Sequence, residues 1–370
     1  MGKKRNGKGG DAKVLVVTLL AFVVVLGLLV FVHEFGHFIV AKSVGIFVEE
    51  FSLGLGPLIW KRKTKETQYS LRVLPLGGYC KMAGDNPHDD KITGTTDTDR
   101  TTIPQERLFY AKKVRQRSAV VAAGPIMNFL VAALIFTVMF GAFGIPTELS
   151  DEAIIGEISP GGPAAQAGLL PGDKILMVNG EVVSAWDELA QKIRSKPNQE
   201  ITLDVARGLK QFQITVLPRQ ERPDGPGLIG IVPKIEARER IPFFKAIEFG
   251  FLQTFYLIKA ILVGLYEIIT GKLIGPIAGP VGIAQMTGQA ARFGLESLLN
   301  LTAVLSVNLG VLNLLPFPAL DGGRLVFLGV EGLRRKPIDP EREGLVHFIG
   351  FALLMLLVLF ITFREVVGLL

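Results

Sequence analysis

His33-Glu34-Phe35-Gly36-His37 is an H-E-x-x-H sequence that ends an apolar run beginning near Val14. On an α-helix, residues four apart share a face, so both imidazoles face one point and Glu34 lies on the same side. This arrangement suits zinc, which binds neutral imidazole, leaves a position open for water and lowers the pKa of that water to about 7. Glu34 is then the candidate general base. Inside an apolar segment such groups are costly unless they face protein, which favours a metal site over a chance match.

The composition indicates a membrane protein. The 370 residues are 49% hydrophobic with a mean hydropathy of +0.41, which is too apolar for an ordinary soluble domain. The net charge of +6 is better explained by cytoplasmic anchoring than by nucleic-acid binding, and no nucleic-acid partner is expected. The single cysteine, Cys80, excludes an intrachain disulfide and a cysteine-rich zinc module. Any metal must therefore be held by His, Asp or Glu.

Four apolar stretches reach the ~20 residues needed to cross a bilayer, which predicts a polytopic α-helical membrane protein with about four transmembrane helices. A basic leader, residues 1–13, precedes them; cleavage as a signal peptide is disfavoured because the apolar run continues into the metal motif. Segment 243–271 contains charges at spacings that suit an amphipathic helix lying at the interface, in preference to a fifth span. The predicted spans are 14–41 with the metal motif, 119–145, 295–324 with a Leu-Asp-Gly sequence, and 346–364.

Residues 148–220 resemble a PDZ domain, an α+β fold with short strands and two helices. The resemblance rests on the ordered motifs at 154–160, 163–169, 172–175 and 178–180. Such a domain binds a peptide tail by strand addition. Whether this groove binds a tail or only blocks access stays open, as does whether Leu189 and Ile193 line it or belong to the core. Residues 221–242 are predicted to be a linker.

A third metal ligand is expected far along the chain. The sequence at 313–323, Asn-Leu-Leu-Pro-Phe-Pro-Ala-Leu-Asp-Gly-Gly, contains prolines that end a helix, and irregular backbone at membrane depth is tolerated only where it lines protein or water. Asp321 is therefore well placed to complete a site of two histidines and one carboxylate. The alternative is a simple Asp-Gly turn. The remaining histidines, His88 and His347, are interpreted as solvated residues.

Together, the intramembrane H-E-x-x-H, the N-x-x-P-x-P-x-L-D-G motif and the PDZ domain between the central spans resemble the site-2 protease family, in its bacterial form with a single PDZ domain. The resemblance covers nearly the whole chain after the leader. It implies Zn²⁺ held by His33, His37 and Asp321, with Glu34 activating water. It also implies hydrolysis within the transmembrane helix of a membrane-protein substrate, such as a pre-trimmed anti-sigma factor or a remnant signal peptide, near the cytoplasmic face.

Further positions match the family. Within the cytoplasmic-side segment 42–118, residues 69–82 alternate enough to form a hairpin, similar to the family's membrane-associated β-loop, which is thought to present an edge to an unwound substrate. Gly124-Pro125 with Asn128 matches a second-span motif in which small residues allow close helix packing. Either substrate contact or a purely structural role fits the following matching residues: Gly77, Gly78, Tyr79, Asn308, Asn313, Pro316 and Pro318.

The basic runs Lys61-Arg62-Lys63 and Arg334-Arg335-Lys336 predict that their segments face the cytoplasm, which leaves the PDZ domain extracytoplasmic in a bacterial inner membrane. The basic leader opposes this orientation. The expected partners are the lipid bilayer, a substrate transmembrane helix and a peptide tail at the PDZ groove. Two other classes of protein are considered, a catalytically inactive membrane PDZ adaptor and a membrane metal transporter.

Overall fold

The structure is a computed structural model that describes residues 7–85, 103–220, 222, 225–272 and 278–367; His88 lies outside them. Within these ranges long apolar helices flank a central segment of short strands and helices. The helices are α1 Gly7–Ser43, α2 Val114–Phe143, α3 Pro163–Ala167, α4 Trp186–Arg194, α5 Phe243–Ile269, α6 Pro280–Phe293, α7 Leu295–Leu314, α8 Asp321–Arg334 and α9 Pro340–Val367.

Five helices of the described chain are long and apolar enough to cross a membrane, judged by length and composition. Four of them, α1, α2, α7 and α9, coincide with the predicted spans, although α2 and α9 begin before the predicted residues. The fifth is α5, whose predicted position at the interface stays a prediction. This helix packs on the end of α2: a Cβ at Gly250 would lie 2.6 Å from the Ala133 carbonyl oxygen, and the rings of Phe249 and Phe140 are 6.2 Å apart.

The chain forms two compact units, and one contains Val23–Ala132 and Thr302–Phe360. In this unit β1, Val48–Lys63, pairs antiparallel with β2, Gln68–Met82. Phe51 pairs with both Tyr69 and Cys80, so the first half of β1 lies between the two halves of β2. The predicted hairpin within 69–82 is wrong, because these residues form one bent strand. Gly54, at φ +90°, permits the close approach, since a Cβ there would lie 2.8 Å from the Arg72 carbonyl oxygen.

The other unit contains Ala133–Leu301 with the start of α1 and the end of α9. Its four-stranded antiparallel sheet has the order β6-β5-β7-β8 and covers a core that includes Leu189 and Ile193, so both residues belong to the core. Asp173 is fully buried; it accepts the Leu170 N–H at 2.8 Å and pairs with Arg207 at 2.7 Å. The sheet strands are β5 Lys174–Val178, β6 Glu181–Val182, β7 Ile201–Arg207 and β8 Lys210–Val216.

The predicted linker at 221–242 is wrong between residues 227 and 239, because this part contains three strands. Ile231 pairs with Ile158 inside the predicted PDZ segment, and Ile235 pairs with Leu149. Strands of two to five residues rich in Gly, Pro and charge carry too weak an alternation to be recognised in the sequence. The remaining strands are β3 Ile145–Leu149, β4 Ile155–Ile158, β9 Arg219–Gln220, β10 Gly227–Leu228, β11 Ile231–Pro233 and β12 Ile235–Glu239.

Candidate metal centre

Three predicted ligands converge in the unit that contains Val23–Ala132 and Thr302–Phe360. His33 and His37 lie one turn apart on α1, both buried, with their Nε2 atoms 3.2 Å from each other. Asp321, the first residue of α8, places Oδ2 3.1 Å from His33 Nε2 and 3.5 Å from His37 Nε2. One ligand atom of each residue lies within 4.8 Å of the others. The structure therefore brings together two residues separated by four positions and a third nearly three hundred positions away.

Helix α2 fixes both imidazole rings. His37 donates from Nδ1 to the Val120 carbonyl oxygen at 2.8 Å, and His33 Nδ1 lies 3.1 Å from the Asn128 side-chain amide. The Asn128 Oδ1 atom has no hydrogen-bond partner among the described residues, whereas its Nδ2 faces His33. With the two amide atoms exchanged by a rotation of the amide group, His33 donates from Nδ1 to Oδ1. Both Nε2 lone pairs then face the same point.

This donor set fits zinc. Two imidazole lone pairs and a carboxylate oxygen approach one another closely, and the buried Asp321 Oδ2 has no hydrogen-bond partner in the described part of the chain. Three acceptors at this separation repel unless a cation lies between them. A set of three nitrogen and oxygen ligands is typical of a catalytic zinc site, which keeps one position open. In such sites the other ring nitrogen of each histidine is held by a hydrogen-bond partner, here a carbonyl and an amide.

Two glycines allow α1 and α2 to approach closely enough for this site. A Cβ at Gly36 would lie 2.4 Å from the Ala123 carbonyl oxygen. A Cβ at Gly124 would lie 2.4 Å from His37 Nε2 and 2.8 Å from His33 Cε1. The second-span motif noted in the sequence thus supplies the surface against which the imidazoles pack, and Asn128 lies one turn further along.

Glu34 lies next to the metal ligands and next to β2. Its carboxylate lies close to the Cys80 backbone N–H. Gly78 makes this approach possible, because a Cβ there would lie 3.0 Å from Glu34 Cγ and 2.8 Å from the Ser52 carbonyl oxygen. The carboxylate therefore lies against the backbone of β2.

A cavity of about 290 Å³ opens beside these groups. Its described lining includes the predicted residues Gly78, Tyr79 and Asn313, together with the metal ligands and Glu34; it does not include Gly77, Asn308, Pro316 or Pro318. The Tyr79 hydroxyl accepts a hydrogen bond from Arg72 at 2.7 Å, which fixes the ring at the cavity wall.

The sequence analysis missed an ion pair in the cavity wall. Arg324, one turn after Asp321, pairs with Asp85 at 2.5 Å, and both residues line the cavity. The interaction joins the first turn of α8 to the end of β2. The sequence did contain a signal for this ion pair, because Arg324 lies three positions after the predicted ligand Asp321 and therefore on the same face of the helix.

The interpretation of His347 as a solvated residue is wrong. Its side chain is only 18% exposed, and Nδ1 accepts the Ala319 backbone N–H at 2.9 Å. The sequence around it is mixed charged and apolar, and its partner lies in a turn 28 residues earlier. Contacts of that range carry no local pattern, so the burial of His347 could not be read from its neighbours.

These features define a class of protein: a membrane protein with a buried two-histidine, one-carboxylate metal site and an adjacent glutamate. Residues 21–357 match the family model described as Peptidase family M50. The chain belongs to this family and is a membrane zinc metalloprotease, which removes the support for the adaptor and transporter alternatives.

Curated relatives agree over nearly the full length. The chain is 36% identical to zinc metalloprotease RasP of Geobacillus kaustophilus, with 94% of this chain and 97% of that protein covered. It is 35% identical to regulator of sigma-W protease RasP of Bacillus subtilis, with 95% and 99% covered. Among solved structures, the PDZ domain of the SdrC-like protein of Listeria monocytogenes is similar over 24% of this chain and 92% of that one, at 23% identity and a TM-score of 0.21.

Proposed function

We propose that His33, His37 and Asp321 hold the catalytic zinc and that Glu34 is the general base for hydrolysis of peptide bonds within transmembrane segments. The observation that carries the proposal is the convergence of three acceptor atoms on one point, with Asp321 Oδ2 lacking any hydrogen-bond partner among the described residues. Zinc bound there supplies Lewis-acid chemistry, polarising the scissile carbonyl and lowering the pKa of water to about 7.

The chain's own groups provide proton transfer and orientation. Glu34 accepts a proton from the attacking water and returns it to the leaving amine nitrogen, while the Cys80 N–H keeps the carboxylate aimed at the cavity. Val120 and Asn128 hold the imidazoles in the tautomer that leaves Nε2 free for metal. The catalytic groups thus stay in place before substrate arrives.

A helical substrate must first unwind, because its scissile carbonyl is hydrogen-bonded within the helix. The end of β2 pairs with β1 on one side only in the described sheet, and Gly78 and Tyr79 on this strand line the cavity. Strand addition along this edge would replace the hydrogen bonds lost on unwinding and place the carbonyl beside Glu34. Asn313, also in the cavity wall, is the second candidate contact for the substrate backbone.

The proposed orientation follows the distribution of basic residues. Segments 42–118 and 335–339 face the cytoplasm of a bacterial cell, because Lys and Arg concentrate in and beside them. The PDZ domain then lies on the opposite side of the inner membrane. Membrane-protein remnants that another protease has already trimmed are the proposed substrates, including anti-sigma factors and signal-peptide remnants. The Bacillus subtilis relative is named regulator of sigma-W protease RasP, which supports the first group. The PDZ groove is proposed to bind or exclude peptide tails and thereby enforce the order of cleavage.

The test uses the full-length chain in detergent or nanodiscs with a reporter transmembrane substrate. Glu34→Gln is expected to lower cleavage by at least about 100-fold while zinc content stays at the wild-type value. His37→Ala and Asp321→Ala are expected to reduce zinc content as well. Glu148→Gln, an exposed carboxylate, is the matched control and should behave as wild type. If Glu34→Gln cleaved the substrate at the wild-type rate, Glu34 would not be the general base. If Asp321→Ala kept the wild-type zinc stoichiometry, Asp321 would not be a zinc ligand.

A further inference from the structure

The turn that leads to Asp321 contains a residue in a disfavoured conformation. Ala319 has φ +78°, in the left-handed region, where a side-chain Cβ crowds the following carbonyl oxygen. Two residues later α8 begins at Asp321. A residue in this conformation keeps it only when its surroundings hold it there, and such residues concentrate at functional sites.

Helix α9 supplies that support at two positions one turn apart. The Ala319 N–H donates to His347 Nδ1 at 2.9 Å. At Gly350, a Cβ would lie 2.5 Å from both the Cβ and the carbonyl oxygen of Pro318, so the backbone of α9 lies directly against the turn. His347 and Gly350 face the same side of the helix and contact consecutive residues of the turn.

The imidazole of His347 is itself held in place. Because Nδ1 accepts a hydrogen bond, the ring proton is on Nε2, which has no hydrogen-bond partner among the described residues and lies 3.9 Å from a Glu343 carboxylate oxygen. The ring also contacts Phe327 of α8, with centroids 5.4 Å apart. A neutral acceptor with a fixed orientation therefore faces the Ala319 peptide.

We propose that His347 is a positioning residue that holds the Ala319 peptide, and thereby keeps Asp321 within coordinating distance of the two imidazoles. The proposal rests on the proposed function, in which Asp321 is a zinc ligand. Without the acceptor, Ala319 relaxes towards negative φ, and this rotation two residues before Asp321 moves its carboxylate away from His33 and His37. His347 is not among the described residues that line the cavity, so its effect passes through the turn.

Zinc retention by the purified full-length protein, titrated against a chelator, tests the proposal without using activity. His347→Ala is expected to weaken retention about tenfold or more, the usual effect of removing a group that orients a ligand. His347→Asn should retain zinc within threefold of wild type, because its Oδ1 occupies the position of Nδ1. His347→Gln should resemble His347→Ala, because its polar atoms reach the position of Nε2. Leu345→Ala, an exposed residue on the same helix, is the control.

A second variant tests the role of backbone strain. Ala319→Gly removes the Cβ that makes φ +78° unfavourable, so the turn needs less support from His347. The double variant Ala319→Gly with His347→Ala should therefore retain zinc several-fold better than His347→Ala alone. Equal retention by the single and double variants would overturn the assignment of His347 to this turn.

Zinc retention by Asp321→Ala, measured in parallel, distinguishes a failure of the proposed function from a failure of the positioning role of His347. Wild-type zinc retention by Asp321→Ala would overturn the proposed function. Loss of zinc from Asp321→Ala together with wild-type retention by His347→Ala would overturn only the positioning role. If His347→Ala fails to fold, as judged by gel filtration and thermal unfolding, His347→Asn is compared with His347→Gln. Better zinc retention by His347→Asn supports the proposal, and equal retention by the two variants overturns it.

Discussion

Replacing Gly124 by alanine adds one methyl group at the most crowded point of the metal centre. The new Cβ would lie 2.4 Å from His37 Nε2, 2.6 Å from His37 Cε1 and 2.8 Å from His33 Cε1, whereas ordinary contact begins at 3.4 Å. The imidazoles or the helices must therefore separate by about 1 Å. Both Nε2 atoms are proposed ligand atoms, so the displacement would fall on the bonds to the metal.

The size of the effect follows from what holds the rings. Retreat of His37 stretches its 2.8 Å hydrogen bond to Val120, and retreat of His33 stretches its contact with Asn128. Loss of such an orienting partner weakens metal binding about 10- to 100-fold, and a misplacement of about 1 Å lowers turnover by about 100-fold. We expect Gly124→Ala to bind zinc at least about tenfold more weakly and to cleave a reporter helix at least about 100-fold more slowly.

Gly141→Ala on the same helix is the matched control. The nearest atom to its added Cβ is Ala246 Cβ at 3.9 Å, so the methyl group fits, and alanine is the better helix former by about 1 kcal/mol. Zinc content by elemental analysis, cleavage rate and thermal unfolding are measured for both variants. Zinc affinity and cleavage within threefold of wild type for Gly124→Ala would refute the proposed packing of α2 against the imidazoles.

Two further predictions concern an orienting amide and a buried carboxyl. Asn128→Ala should weaken zinc retention about tenfold. Asn128→Asp keeps an acceptor for the His33 Nδ1–H and should retain more zinc than Asn128→Ala. Equal losses of zinc from the two variants in a chelator titration would show that the acceptor is unimportant. Burial raises the pKa of Glu157, and neighbouring Glu296 adds to the shift while Arg238 opposes it. Because the folded-state pKa is raised, the stabilising effect of protonation is complete below the unfolded pKa near 4.3 and is lost as the pH rises through the folded value. Glu157→Gln should therefore raise the Tm at pH 8 but not at pH 4, and a Tm difference that is the same at both pH values would contradict this.

The convergence of the three proposed metal ligands could be predicted because each residue has a local signal. The four-residue spacing of His33 and His37 fixes their common face on any helix, and Asp321 follows prolines that open the backbone at membrane depth. With one cysteine and four histidines in the chain, few alternatives remained. The apolar helices at these four positions could be predicted for a similar reason, since length and apolar composition are properties of the segment alone.

Other features depend on pairing between distant segments and could not be predicted in this way. Strand β1 lies between both halves of β2 because Gly54 and the bend in β2 permit it, and a glycine in a sequence does not show which backbone approaches it. The strands at 227–239 are too short to show alternation. The role of His347 depends on a hydrogen bond from Ala319, which lies in a turn 28 residues earlier in the chain.

Three glycines connect these observations, and each lies at the site on a different element. Gly124 of α2 faces both imidazoles, Gly78 of β2 faces Glu34, and Gly36 of α1 lets the two helices meet at the level of the site. In each case the missing Cβ allows main chain, which offers fixed N–H and C=O groups, to come as close as a side chain. Main-chain groups such as the Val120 carbonyl and the Cys80 N–H lose no rotamer entropy when they hold a side chain in place. A polar site within apolar helices is therefore built by removing side chains around it, and substitutions at these glycines should damage zinc binding more than substitutions at the apolar residues beside them.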